Sequence, residues 1–159
     1  MENSLIYRNL ESVKKRIKES AERVNRSSEE VKLVSVTKTQ SVEKIEEIFH
    51  AGSFIIGENR VQEARDKRLE MDSNVADGLE WRLIGKLQKN KVKIVLGLFD
   101  IIESVDSLSL AKEISRFAEK ITRKPFNIYI QVNTGEESQK NGVFFKDVFS
   151  LIKSIHSVP

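Results

Sequence analysis

No cysteine occurs anywhere in the 159 residues. That excludes disulfides, thiolate nucleophiles and thiolate-bound metal, and it suits the cytoplasm, where disulfides rarely persist. Only two histidines are present, His50 and His156. They stand alone, so neither a metal site nor a Ser/His/Asp arrangement is expected. Glycine is scarce, at 7 residues. Gly57 and Gly85 build neither the dinucleotide-binding nor the Walker pattern. No uninterrupted apolar stretch approaches the roughly 20 residues of a membrane span. The start, Met1-Glu2-Asn3-Ser4-Leu5-Ile6-Tyr7-Arg8, lacks the apolar core of a signal peptide. A cytoplasmic protein with no membrane partner is therefore expected.

What is present describes a folded domain. Charged residues make up 32% and hydrophobic residues 39%, a balance that suits a globular chain. The net charge is +3, with the signs interspersed, a mild pull toward anionic ligands. Lys86, Lys89, Lys91 and Lys93 form a basic run. No aromatic platform accompanies it, so a solvated helix face is expected and nucleic acid is not. One domain covering 1–159 is the simplest organisation.

Apolar spacing then orders the chain. Ile6, Leu10, Val13, Ile17, Ala21 and Val24 make one helical stripe across residues 5–24. Short apolar strands follow at 31–36, 53–56, 79–84, 99–105 and 126–132. Helices are expected at 61–71 and 86–96, after Ser41 and Ser107 as candidate caps, and over 145–155. Residues 133–142 read as a polar loop. The strands begin near residues 31, 53, 79, 99 and 126, a spacing of about 20 to 27 residues. That is the cadence of parallel strand–helix units. It fits either a doubly wound open sheet or five units of a (β/α)8 barrel. Length alone favours the open sheet, because a complete barrel takes about 250 residues.

In both architectures ligands bind at the C-terminal ends of the strands. Those ends read Thr37-Lys38-Thr39, Gly57-Glu58-Asn59-Arg60, Ile84-Gly85-Lys86, Ser104-Val105-Asp106-Ser107 and Asn133-Thr134-Gly135-Glu136. Lys38 is the most informative of these residues. A lysine closing a buried strand is costly to desolvate. Burial would disfavour its ammonium form and free the amine to attack an aldehyde. The ordinary alternative is a strand-end lysine reaching back to water. Asn59 is equally a ligand-contacting amide or a cap for the following helix. Ser104 and Asp106 are weaker candidates, Ser107 reads as a cap, and Glu58 and Glu63 read as helix-surface charges.

Five segments carry a resemblance. Val34–Thr39 (VSVTKT), Gly57–Glu63 (GENRVQE), Trp81–Lys91 (WRLIGKLQKNK), Ser104–Ala111 (SVDSLSLA) and Gln131–Val143 (QVNTGEESQKNGV) resemble, in order, the motifs of the pyridoxal 5′-phosphate homeostasis protein family. The resemblance runs from about residue 30 to residue 145. It implies a barrel of the alanine racemase N-terminal-domain type, incomplete here at about five strand–helix units plus an N-terminal helix. It implies pyridoxal 5′-phosphate as cofactor, held as a Schiff base on Lys38, with Asn59 and Ser104 beside it. Cofactor homeostasis without turnover follows, with apo-enzymes as recipients and a monomeric state. Arg82 departs from the family, where histidine often follows the tryptophan. The family's phosphate-binding segment lies beyond the matched region, so the chain reads as truncated at its C-terminus and weak cofactor retention is expected. Two other functions stay open: a racemase-like enzyme acting on amino acids, and an open-sheet phosphate-ligand or interaction module.

Overall fold

A computed structural model describes residues 4–121 and 125–158. Pro159, where a sixth strand was expected to begin, lies outside them. The elements are α1 (Leu5–Glu22), β1 (Ser35–Val36), α2 (Val42–His50), β2 (Ile55–Glu58), α3 (Val61–Glu70), α4 (Ser73–Gly78), β3 (Glu80–Leu83), α5 (Val92–Val95), β4 (Ile101–Val105), α6 (Leu108–Ile121), β5 (Asn127–Ile130), β6 (Val132–Asn133), β7 (Val143–Phe144) and α7 (Val148–His156).

The strand order is β1-β2-β3-β4-β5, with no reversal. A doubly wound sheet reverses its order at a switch point, whereas a barrel adds each strand beside the last. The order therefore decides for the barrel type, against the preference that length alone suggests.

Packing divides the chain into two compact units, Met1–Gly57 with Asp66–Glu80, and Glu58–Arg65 with Trp81–Pro159. In the first, β1 and β2 pair in parallel, Ser35 opposite Ile56 and Val36 opposite Gly57. Helix α1 begins at Ser4, whose hydroxyl accepts the Tyr7 N–H at 3.0 Å. It buries Leu10 and Ala21 from the expected stripe, while Val13 and Val24 stay exposed. Helix α4 was not foreseen. Asp72 starts it by accepting the Asn74 N–H at 2.8 Å, and it buries Val75 and Ala76.

In the second unit β3, β4 and β5 pair in parallel, with an irregularity between Ile102 and Val105. Trp81, Leu83, Ile102 and Val105 are fully buried. The Ser107 hydroxyl accepts the Leu110 N–H at 3.4 Å, so Ser107 caps α6 as expected. The expected helix over 86–96 shrinks to a 3-10 turn at Lys89–Lys91 and the four residues of α5. Gln88, still extended at φ −85° and ψ 139°, holds the preceding segment out of the helix.

The segment read as a polar loop closes on itself. Val132 pairs with Val143 and Asn133 with Phe144. Buried Asn133 donates through Nδ2 to the carbonyls of Glu137 at 2.8 Å and Lys140 at 3.4 Å. Gly142 takes φ +115°, and a Cβ there would lie 2.7 Å from the Asn133 nitrogen. Two-residue strands carry too little apolar pattern to be seen in sequence.

Candidate functional site

Lys38 occupies the corner of a tight turn at the end of β1. Thr37 donates to the Gly57 carbonyl at 3.0 Å, which completes the strand pairing, and Gln40 donates to the Thr37 carbonyl at 3.0 Å, which closes the turn. Thr39 stands at φ +62°. That left-handed conformation is unusual for a β-branched residue and is what the third position of a type II turn requires. The Lys38 side chain is exposed, so of the two readings the lysine that reaches water holds and the desolvated one does not. The physical reason is local. Strand β1 is two residues long and stands at the end of the strand order, and Val36 beside the turn is itself 52% exposed.

Ser41 follows the turn and starts α2, but its side chain caps no backbone N–H. Its hydroxyl donates instead to the Glu43 carboxylate. That bond, with a second from the Glu43 backbone N–H, holds this carboxyl below its ordinary value.

In the second unit the ends of β2 and β3 run side by side. Ile84 donates to the Glu58 carbonyl at 2.9 Å. Two corrections arise here. Glu58 is not a helix-surface charge: it is the last residue of β2 and is fully buried. Asn59 does not cap α3, because its buried Oδ1 has no hydrogen-bond partner. The Ser104 Oγ in β4 is likewise buried without a partner. A buried oxygen without a donor costs about 1–3 kcal/mol. A ligand that donates to the Asn59 oxygen, or that donates to or accepts from the Ser104 hydroxyl, would remove that cost. These orphaned polar atoms fit a polar cofactor such as pyridoxal 5′-phosphate.

Gly85, expected only as part of a strand end, shapes this rim. A Cβ on Gly85 would lie 2.1 Å from the Asn59 carbonyl oxygen, so only glycine lets the two segments approach. Arg82, the departure from the family pattern, is buried and donates through Nη1 to Glu103 Oε1 at 2.9 Å. Its guanidinium also lies 6.0 Å from the Tyr129 ring centroid. A permanently charged guanidinium thus stands at this position. Lys86 and Lys91, exposed as expected, line a cleft of about 330 Å³ with Asn59, Arg60 and Arg65. Among the described residues, no group of three or more histidine or carboxylate side chains could hold a metal. None of the described helices is long and apolar enough to cross a membrane.

Comparison with known proteins agrees with this geometry. The family model for the alanine racemase N-terminal domain matches residues 9–159. The pyridoxal phosphate homeostasis protein of Vibrio alginolyticus is 34% identical over 157 residues, covering 98% of this chain and 67% of that relative. A protein of unknown function from Bifidobacterium adolescentis superposes with a TM-score of 0.87 at 31% identity, covering 96% of this chain and 64% of its own. PipY of Synechococcus elongatus, solved with pyridoxal phosphate bound, gives a TM-score of 0.69 at 33% identity, covering 81% and 58%. The chain therefore spans about two thirds of the length of its relatives or less. It belongs to the alanine racemase N-terminal domain family and, within that class, to the pyridoxal phosphate homeostasis proteins.

Proposed function

We propose that this chain binds pyridoxal 5′-phosphate and holds it covalently without turnover, serving cofactor homeostasis in the cytoplasm and delivery to apo-enzymes. Lys38 is the anchor, and Asn59 and Ser104 are polar contacts. The cofactor supplies an aldehyde: amine and aldehyde condense with loss of one water, and hydrolysis reverses the step, so the bond stores the cofactor reversibly. The exposure of Lys38 on a rigid turn supports reversible loading from solvent.

The observation that carries the reading is the pair of buried, unpartnered oxygens on Asn59 and Ser104. Native proteins rarely leave such groups without partners, and a ligand is a common reason when they do. Both oxygens lie on segments at the C-terminal side of the sheet strands, the end at which barrels bind ligands.

The test is the absorbance change on adding pyridoxal 5′-phosphate to wild type and to Lys38→Ala. Wild type is expected to show the shift that marks covalent attachment and Lys38→Ala to lose it. An unchanged shift in the variant would remove Lys38 as anchor. Incubating the loaded protein with amino acids in deuterium oxide checks the absence of turnover: no exchange at the α-carbon is expected.

A further inference from the structure

Among the described residues, Lys67 is the one lysine that the fold hides beside the Lys38 turn. It lies on α3 and is 8% exposed, and its Nζ donates to the Thr37 carbonyl at 2.8 Å. Lysine is rarely buried, because its amine gives up hydration and needs fixed acceptors in return. Here one acceptor is the carbonyl immediately before Lys38. The same carbonyl accepts the Gln40 N–H that closes the turn. One oxygen therefore carries two hydrogen bonds, from the turn itself and from α3.

The turn needs that support. Thr39 at φ +62° costs about 1–3 kcal/mol for a residue other than glycine, and such conformations persist only where the surroundings over-determine them. The Thr37 N–H bond to Gly57 fixes the entry of the turn, and the Lys67 bond fixes its first carbonyl. Between these restraints Lys38 has little backbone freedom, while its side chain stays exposed.

We propose that Lys67 is a positioning residue: by holding the Thr37 carbonyl it stabilises the strained Thr37–Gln40 turn and so presents Lys38 for aldehyde attachment. The inference rests on the reading of Lys38 as the anchor. It assigns Lys67 no contact with the cofactor.

Two measurements on Lys67→Met test it. Amide hydrogen exchange at Gln40, followed without cofactor, is expected to accelerate about tenfold, the factor for losing one buried hydrogen bond. The amides of Leu83 and Ile102 should keep their protection. The absorbance change on adding pyridoxal 5′-phosphate should slow by a similar factor. Lys67→Arg, which keeps a donor, should recover part of both effects. If Lys67→Met exchanges at Gln40 and attaches pyridoxal 5′-phosphate at wild-type rates, the proposal is overturned. Uniform acceleration of all amides would also overturn it, because Lys67 would then act on global stability. If Lys67→Met does not fold, Lys67→Arg carries the test: near-wild-type rates support the proposal, and loss of both in a folded protein opposes it. Lys38→Ala run in parallel separates the two ideas. If it retains the absorbance change the anchor assignment fails, whereas loss there with an unaffected Lys67→Met means that only the positioning role fails.

Discussion

Gly85 lies so close to Asn59 that a Cβ on it would stand 2.1 Å from the Asn59 carbonyl oxygen. No L side chain fits that distance without moving one of the two segments. The Gly85→Ala variant should therefore lose about 1–3 kcal/mol, the usual cost of forcing added volume into a packed site. Urea unfolding measures it. Cofactor affinity should fall further than stability, because the displaced segment carries Asn59. A variant as stable as wild type would show that the rim relaxes without cost.

Ser104 offers a cleaner separation of fold from ligand. Its Oγ is buried without a partner, so Ser104→Ala removes a desolvated group that makes no protein bond. The unliganded variant should be as stable as wild type or slightly more stable. Its affinity for pyridoxal 5′-phosphate should drop about tenfold if the cofactor supplies the missing hydrogen-bond partner, as one lost hydrogen bond implies. Equal affinity, read by titration, would release Ser104 from the site.

The Arg82–Glu103 pair spans neighbouring strands at 2.9 Å, with the arginine side chain 5% and the glutamate 27% exposed. Removing the carboxylate by Glu103→Ala leaves a buried guanidinium without it. The expected loss is about 3 kcal/mol, toward the low end for a broken buried pair because Glu103 is partly hydrated. Glu103→Gln keeps an acceptor and should lose less. Chemical unfolding of the two variants distinguishes charge from hydrogen bonding.

Glu43 gives a pH signature. Its carboxyl is held below the ordinary 4.5, first by the Ser41 hydroxyl and then by its own backbone N–H. A depressed carboxyl contributes stability above its unfolded value, and that contribution is lost as pH falls through the folded value. Ser41→Ala should move the Glu43 titration upward toward 4.5, as followed by carboxyl NMR shifts, and the stability that goes with this bond should be missing at neutral pH and make no difference in acid. A titration that does not move would assign the depression to the backbone bond alone.

Much of the fold was legible in sequence because it is encoded by near neighbours. The stripe from Ile6 to Val24, the Ser107 cap and the recurring apolar strands each depend on residues a few positions apart. The five ordered motifs carried the family. Elements too short for a period were not legible: β6, β7, α4 and the abbreviated α5 are two to six residues long. At the candidate site the rim positions could be named from sequence, but the state of their side chains could not. Lys38 reads either as a desolvated amine or as a strand-end lysine reaching water, and it is exposed. Glu58 reads as a helix-surface charge and is buried, and nothing in the sequence singles out Lys67, which is buried too.

By itself the sequence determined the strand–helix cadence, the family and the lysine at the end of the first strand. Only the tertiary structure decided the unreversed strand order, the unpartnered oxygens of Asn59 and Ser104, the Gly85–Asn59 approach and the clamp from Lys67 to Thr37. The reason is that periodicity reports what one segment needs to bury. Whether a polar group is hidden, and what meets it there, depends on segments brought from elsewhere in the chain. Thr37 and Lys67 are 30 residues apart, and no local pattern couples them.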